Sequence, residues 1–259
     1  MPVIIFAGRR IKRREIMLVL DHLAWKLPDG EPILKDITLT LPTGKLTVVT
    51  GPNGGGKTSL AKLIAGLETP SSGRIYLDGE DITGLDITQR AKKGVAYAFQ
   101  QPVHFKGLSV RDLLELAAGE TLPEEELCAI LGQVGLCAQD YKNRQVDASL
   151  SGGESKRIEI ATVLARKNAG LLIFDEPEAG IDLWSFSGLI DAFQRIKTKS
   201  PASALIISHQ ERILQIADEI VVIADGAVRA AGPREEILPT LLKEEKIGRC
   251  PLERETSHE

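Results

Sequence analysis

The chain has 259 residues, of which 43% are hydrophobic and 26% charged, so it can form one large domain or a domain with a subdomain. Its net charge of −4 gives no general attraction to nucleic acid or anionic lipid, and no nucleic-acid partner is expected. Three scattered cysteines are typical of a reducing cytosol, and no apolar run approaches the ~20 residues that span a bilayer. We therefore expect a cytoplasmic protein that reaches a membrane only through a partner.

The first sixteen residues differ in composition from the rest of the chain. Their apolar run at 3–6 is too short for the core of a signal peptide, and it precedes the basic run at 9–14. We expect residues 1–16 to form a disordered or basic N-terminal extension. A solvated tail, or a start at Met17, is favoured over a basic arm that contacts acidic lipid or RNA, because short charge runs are usually solvated.

The segment after Met17 has the pattern of strands. Runs at 17–20, 37–41, 74–77 and 94–99 predict strands, and the alternation at 37–41 is typical of an antiparallel sheet with one solvated face. The β-branched run at 46–50 instead predicts a buried strand.

A glycine-rich loop follows that buried strand. It reads Gly51, Pro52, Asn53, Gly54, Gly55, Gly56, Lys57, Thr58, which fits the phosphate-loop pattern G-x-x-x-x-G-K-[ST]. From Ser59 onward, apolar residues at helical spacing predict a helix. Strand, loop and helix in this order predict a nucleotide site, where backbone N–H groups and the helix N-terminus face the phosphates. Lys57 would supply charge for the β- and γ-phosphates of ATP, and the Thr58 hydroxyl would serve Mg²⁺.

The second half of the chain alternates helices with apolar strands. Residues 101–150 predict a small helical subdomain, and residues 151–166 predict a longer helix. Fully apolar runs at 171–174 and 204–207 predict buried parallel strands, and a charged, frayed tail is expected over 243–259. Polar residues at the carboxyl ends of such strands predict an α/β sheet with its ligands above that edge.

Three polar side chains are candidates for the chemistry of hydrolysis. Asp175 ends an apolar strand, where its carboxylate can reach Mg²⁺ beside Thr58. Glu176 follows it and could polarise the attacking water, while His209 ends the next apolar strand and could donate a hydrogen bond to the phosphate or the water.

The amide of Gln100 could sense the metal or the water, and it is a further candidate for both the catalytic and the metal-binding set. Its neighbour Gln101 is the alternative for the same role.

A second anion-binding element lies at the start of a helix, at Ser151, Gly152 and Gly153. A single phosphate loop does not need it, so the alternative is an ordinary helix cap with glycines. If it is functional, it most simply serves a nucleotide on another subunit, which makes dimerisation part of the site.

Taken together, these motifs resemble those of ABC-type ATPases from Met17 to about Leu242. The loop at 51–58 resembles their Walker A motif, LSGGE at 150–154 their signature with Glu154 in place of the usual Gln, and LLIFDE at 171–176 their Walker B motif with the catalytic glutamate. Residues 179–182, ending in Asp182, resemble the D-loop, and His209 the switch histidine.

The resemblance implies a P-loop fold with a mixed-sheet core, an antiparallel β subdomain and a small helical subdomain. The ATPase domain would span 17–242, with the core and antiparallel subdomain in 17–100 and 151–230. It also implies a head-to-tail dimer in which two ATP molecules lie between Walker A of one subunit and the signature of the other.

Within this family, several segments look like the soluble Suf-type (SufC-like) ATPase of iron–sulfur cluster assembly. They are AFQQPV at 98–103, SGGESKR at 151–157 and SHQERIL at 208–214. The transporter-like Pro177 and a short helical insert depart from that group. Leu27 stands where transporter ATPases usually place an aromatic residue on adenine, and whether Trp25 serves instead is left open.

Two functions are compatible with these motifs. The first is a soluble ATPase that drives conformational change in SufB/SufD-like scaffold proteins, and it is preferred. The alternative is the ATP-binding subunit of a membrane transporter, whose partners span the membrane. A non-catalytic ATP-gated module is disfavoured by Glu176. In each case the cofactors are ATP and Mg²⁺, and the first partner is a second ATPase subunit.

Overall fold

The computed structural model describes residues 4–6, 9–11, 16–99, 105, 107–147 and 149–247. The strands are β1 (Ile4–Phe6), β2 (Arg9–Ile11), β3 (Ile16–Lys26), β4 (Pro32–Pro42), β5 (Leu46–Thr50), β6 (Ser72–Leu77), β7 (Glu80–Asp81), β8 (Val95–Ala98), β9 (Leu171–Asp175), β10 (Ser203–Ile207), β11 (Glu219–Ala224) and β12 (Ala227–Pro233). The helices are α1 (Lys57–Ala65), α2 (Ile87–Lys92), α3 (Val110–Ala118), α4 (Glu124–Gln133), α5 (Ala138–Tyr141), α6 (Gly152–Ala165), α7 (Leu183–Lys199), α8 (Glu211–Ile216) and α9 (Arg234–Ile247).

The central sheet has the strand order β12-β11-β5-β10-β9-β8. Its strands pair in parallel except for β12, which forms an antiparallel hairpin with β11. β5, β9 and β10 are buried at every residue, as their apolar sequences predict for strands covered on both faces. β10 lies between β5 and β9, so the segments that follow these three strands leave the sheet at one edge.

A second, antiparallel sheet has the order β4-β3-β6-β7. β3 and β4 each have 11 residues and are much longer than the runs that the sequence predicts at 17–20 and 37–41. The pairing of β3 with β4 shifts register at several points along the strands. Each shift breaks the alternation of apolar and polar residues, and for that reason the pattern detects only part of each strand.

Two hydrophobic cores cover the two faces of the central sheet. Val48 and Phe174 face the core formed with helices α3, α4, α6 and α7. Val49 and Ile173, their neighbours in sequence, face the core shared with α1 and the antiparallel sheet. This alternation is expected for strands. It places β5, the strand that leads into the glycine-rich loop, in contact with both cores.

The segment predicted to be helical contains α3, α4 and α5. Ser109 and Asp112 form a capping box at the start of α3, since each side chain accepts the other residue's backbone N–H. In the first turn of α4, Glu124 pairs with Arg111 and Lys142. Acidic residues at this end suit the helix dipole.

Arg90 joins α1 to the segment between the antiparallel sheet and β8. Its side chain is 1% exposed and donates to the carbonyls of Leu63 and Ile64 at the end of α1, the second over 3.0 Å. It also donates to the carbonyls of Thr83 and Leu85, each over 2.9 Å. A cation suits the carboxyl end of a helix, so one buried side chain satisfies carbonyls from two segments.

The two ends of the described chain are also ordered in part. β1 and β2 pair as an antiparallel hairpin within the N-terminal extension, and α9 continues past residue 242 to Ile247. Across the residues that the structure describes, no helix combines the length and apolar character needed to cross a membrane.

Candidate nucleotide site

The loop between β5 and α1 is packed against β11 and β4. Gly51 has a φ of 133°, and a Cβ there would lie 2.0 Å from the carbonyl oxygen of Ile223. Gly56 has a φ of 99°, and its Cβ would lie 2.6 Å from Cδ2 of Leu34. Only glycine fits both the backbone angles and the space, so the loop needs these residues.

This loop forms most of a cavity of about 430 Å³. Its lining comprises Ile33, Asn53, Gly54, Gly56, Lys57, Thr58, Ser59 and Glu176. The N-terminus of α1, which begins at Lys57, opens into it and favours an anion. The cavity therefore has the volume to hold a phosphate chain, and the electric field of the helix N-terminus favours the negative charge of that chain.

Lys57 supplies the positive charge of this cavity. Its side chain is 6% exposed, and Nζ donates to the carbonyls of Gly51 and Pro52, each over 2.8 Å. Burial lowers the pKa of Lys57, while the negative charges of Glu176 and Asp175 act in the opposite direction. The two carboxylates thus help to keep the ammonium charged at the mouth of the loop.

Asp175 lies at the end of β9 and is 1% exposed. Its Oδ1 accepts from the Thr58 hydroxyl over 3.1 Å, and its Oδ2 accepts from the Tyr97 hydroxyl over 2.9 Å. Burial raises the pKa of Asp175, and these two hydrogen bonds oppose the rise. A hydroxyl and a carboxylate in contact are hard oxygen ligands, the kind that Mg²⁺ prefers, so the residues present fit that ion.

Glu176 lines the cavity from a constrained backbone. Its φ of 45° lies in the left-handed region, which residues other than glycine rarely adopt. Its N–H donates to the carbonyl of Ile207 over 3.0 Å, and its own carbonyl accepts from Ala179 over 3.0 Å. The end of β10 and the following turn therefore hold the backbone from which this side chain reaches the cavity.

His209 is exposed and follows β10, at the same edge of the sheet as the loop. The Ser208 hydroxyl donates to Oε1 of Glu178 over 2.5 Å and accepts from the N–H of Gln210 over 3.0 Å. The residue before His209 is thus bonded to Glu178, in the turn after Glu176. Gln100, and Gln101 as its alternative, lie outside the described residues.

The signature residues begin α6 and lie away from the cavity lining. The Ser151 hydroxyl accepts from the N–H of Glu154 over 3.2 Å, and Oε2 of Glu154 accepts from the N–H of Ser151 over 2.7 Å. Oε1 of Glu154 also accepts from Tyr141 over 2.6 Å and from Arg144 over 2.8 Å. The Tyr141 hydroxyl first, and then the Ser151 backbone, lower the pKa of Glu154 to about 2.

The two signature glycines lie beside the segment that resembles the D-loop. A Cβ on Gly152 would lie 3.6 Å from the carbonyl oxygen of Gly180, and one on Gly153 would lie 3.7 Å from Oδ2 of Asp182. Ser151, Gly152 and Asp182 are exposed. Within one chain, therefore, the signature and Asp182 form a surface separate from the nucleotide cavity.

Sequence reasoning missed three residues of this region. Ile33 from β4 lines the cavity, Tyr97 from β8 binds the Asp175 carboxylate, and Glu178 binds Ser208. Trp25, considered for adenine, is partly buried and packs against the core of the antiparallel sheet. Only the strand order brings Tyr97 to Asp175, and no local pattern carries that order.

The comparison with known protein families agrees with this geometry. Residues 34–179 match the family model described as "ABC transporter". The chain belongs to the ABC transporter family. Its α/β fold with a mixed-sheet core and an antiparallel β subdomain is the ABC ATPase fold, as predicted.

Relatives in this family match most of the chain. An "Uncharacterized ABC transporter ATP-binding protein" of Methanocaldococcus jannaschii is 37% identical over 84% of this chain and 89% of its own length. The "Lipopolysaccharide export system ATP-binding protein LptB" of Acidithiobacillus ferridurans is 35% identical over 80% of this chain and 86% of its own. Among solved structures, cbiO1 from Clostridium perfringens, "part of the ABC transporter complex cbiONQ", superposes with a TM-score of 0.73 at 27% identity, covering 90% of this chain and 94% of that one.

Membership of this family confirms part of the functional prediction. The chain is an ABC-type ATPase that hydrolyses ATP and uses ATP and Mg²⁺. The closer likeness to Suf-type ATPases is not supported, since these relatives carry names of ABC transporter subunits.

Within the described residues, no group of three or more His, Cys, Asp and Glu side chains could hold a metal ion.

Proposed function

We propose that the chain is the ATP-binding subunit of an ABC membrane transporter and drives conformational change in membrane-spanning partners. The names of its relatives support this proposal, and they favour it over the assembly of iron–sulfur clusters, which the sequence motifs alone had placed first. The structural observation that carries it is an exposed apolar groove next to the ATP site.

This groove has a volume of about 380 Å³. Phe99, Phe105 and Leu116 contribute to its lining and are 39%, 38% and 69% exposed, which is high for large apolar side chains. Ser155, Ile158 and Glu159 of α6 form part of the other wall. An apolar groove of this kind suits a short helix of a partner, which here is a segment of a membrane-spanning subunit.

The groove is connected to both halves of the site. Phe99 follows β8 and directly precedes Gln100, and its N–H donates to a carboxylate oxygen of Glu159. Lys156, which is 0% exposed, donates to the carbonyl of Phe99 and pairs with Glu159 over 3.0 Å. A partner in the groove therefore contacts both the strand that leads to Gln100 and the helix that begins after Ser151.

Each site residue has a defined role in this proposal. Lys57 and the backbone N–H groups of the loop bind the phosphates, while Thr58 and Asp175 would hold Mg²⁺, which would supply positive charge to the phosphate chain. Glu176 orients the attacking water and accepts its proton. His209 donates a hydrogen bond to the γ-phosphate or the water, and Gln100 senses the metal or that water.

A second subunit completes each site. Ser151, Gly152, Gly153 and Glu154 of one chain, with Asp182, contact the ATP held by the loop of the other. Because the signature does not line its own chain's cavity, the two surfaces suit a head-to-tail pairing of two subunits.

The test is affinity purification of the tagged chain from its own host, with and without detergent, comparing two variants. Leu116→Glu places a charge in the groove, whereas Ile87→Glu places one on another exposed apolar residue, 39% exposed, on α2. We expect a membrane-spanning partner to co-purify with wild type and Ile87→Glu but not with Leu116→Glu, which still binds ATP.

Recovery of a different kind of partner would contradict the proposed transporter function. Recovery without detergent of a soluble partner that carries iron and acid-labile sulfide would restore the Suf-type function. If Leu116→Glu kept its membrane partner, the groove would not be the docking site.

A further inference from the structure

One tyrosine links the carboxylate at the end of β9 to the partner groove. The Tyr97 hydroxyl donates to Oδ2 of Asp175, and the Thr58 hydroxyl donates to Oδ1 of the same carboxylate. The two donors come from β8, which pairs with β9 in the sheet, and from α1, which packs against one face of that sheet. Each oxygen of a buried carboxylate is therefore oriented by a separate element.

Such a bond matters because a carboxylate can rotate about its Cβ–Cγ bond. With only the Thr58 contact, rotation would change the direction of the lone pairs that face the loop. Hydrogen bonds to a metal ligand fix its orientation, and losing one typically weakens metal binding by ~10–100-fold. The tyrosine hydroxyl is a hydrogen-bond donor at neutral pH, since its ordinary pKa is about 10.

We propose that Tyr97 is a positioning residue for Mg²⁺, because its hydroxyl holds the Asp175 carboxylate with Oδ1 directed at Thr58 and the loop. This inference rests on the proposed function, in which Asp175 is a ligand of the metal. Tyr97 is not among the residues that line the nucleotide cavity, so it acts through Asp175.

The other end of this side chain lies in the groove. The ring of Tyr97 packs edge-on against the ring of Phe99, with centroids 5.0 Å apart and an interplanar angle of 84°. Both rings line the cavity proposed to take a partner helix. A partner seated there contacts the residue that orients the metal ligand.

Tyr97→Phe tests this role because it removes one oxygen and keeps the ring. Mn²⁺ is the probe, and its affinity is measured by electron paramagnetic resonance in the presence of a non-hydrolysable ATP analogue. We expect Mn²⁺ to bind ~10–100-fold more weakly, with the metal-free affinity for the analogue unchanged. The Mg²⁺ concentration for half-maximal hydrolysis should rise by the same factor, and saturating Mg²⁺ should restore turnover.

Tyr76→Phe is the matched control, since Tyr76 lies on β6 of the antiparallel sheet. A Tyr97→Phe protein with Mn²⁺ affinity within twofold of wild type overturns the inference, even if its turnover falls. An equal loss of Mn²⁺ affinity in Tyr76→Phe would also overturn the inference. Tyr97→Met serves if the Phe variant does not fold, as judged by thermal melting, because Met fills irregular gaps.

The separate variant Asp175→Asn tests the underlying assignment. If it keeps wild-type Mn²⁺ affinity, Asp175 is not a metal ligand and the proposed site fails. If Asp175→Asn loses Mn²⁺ affinity and Tyr97→Phe does not, Asp175 remains the metal ligand and the positioning role of Tyr97 fails.

Discussion

Glu176 combines an uncommon backbone angle with a place in the cavity lining. A φ of 45° on a residue with a Cβ costs on the order of 1–3 kcal/mol, and it persists only where neighbouring bonds impose it. Here the carbonyl of Ile207 and the N–H of Ala179 hold the backbone of Glu176. The backbone is thus held where the Glu176 side chain lines the cavity beside the loop.

Glu176→Gln should separate ATP binding from hydrolysis. The amide keeps the size of the side chain but cannot accept the proton of the attacking water, so we expect turnover to fall by ~10²–10⁴-fold while ATP still binds. Phosphate release and nucleotide binding measure the two properties. Turnover within a few-fold of wild type would show that Glu176 is not the general base.

At the scale of elements, the start of α6 depends on one carboxylate. Glu154 closes a capping box with Ser151 and also accepts hydrogen bonds from Tyr141 and Arg144. Its negative charge lies in the first turn of the helix, where the dipole favours it. A single side chain therefore ties the signature to the helical segment before it.

This arrangement predicts a dependence of stability on pH. The pKa of Glu154 is about 2 in the folded protein, against 4.5 for an ordinary glutamate. Its contribution is therefore fully present above about pH 4.5 and is lost as the pH falls towards 2. Denaturation at pH 7, 4.5 and 3 should show that wild type loses ~1–2 kcal/mol more than Glu154→Gln over this window. Parallel losses in both proteins would contradict the assignment.

The elements differ in how far the sequence alone predicts them. The loop at 51–58 and the buried strands β5, β9 and β10 were predictable, because continuous apolar runs and glycines report local structure directly. The contact of Tyr97 with Asp175 was not, since it depends on β8 pairing with β9 across more than seventy residues of chain. Arg90 is 1% exposed, although arginine is seldom fully buried, and no local pattern around it indicates that burial.

For the whole molecule, the separation of the two surfaces decides how subunits combine. The glycine-rich loop lines a cavity on one surface, and the signature with Asp182 lies on another. ATP would join the two between subunits, so we expect a monomer without nucleotide and a dimer with ATP.

Mixing two inactive chains tests this pairing. Lys57→Ala disables the loop, and Gly152→Asp places a negative charge on the signature. In a head-to-tail dimer of one chain of each kind, one site keeps an intact loop and an intact signature. We expect hydrolysis to appear on mixing, with light scattering to follow the dimer. Continued inactivity of the mixture would contradict shared sites.

The buried guanidinium of Arg90 has a consequence for how the molecule opens locally. It holds the carbonyls that end α1 and those of Thr83 and Leu85, so neither segment can detach without leaving a buried cation with unfilled partners. The nucleotide loop is attached directly to α1. Local unfolding that frees the loop must therefore also release the chain before β8, and amide hydrogens in these two distant segments should exchange with solvent as one cooperative unit.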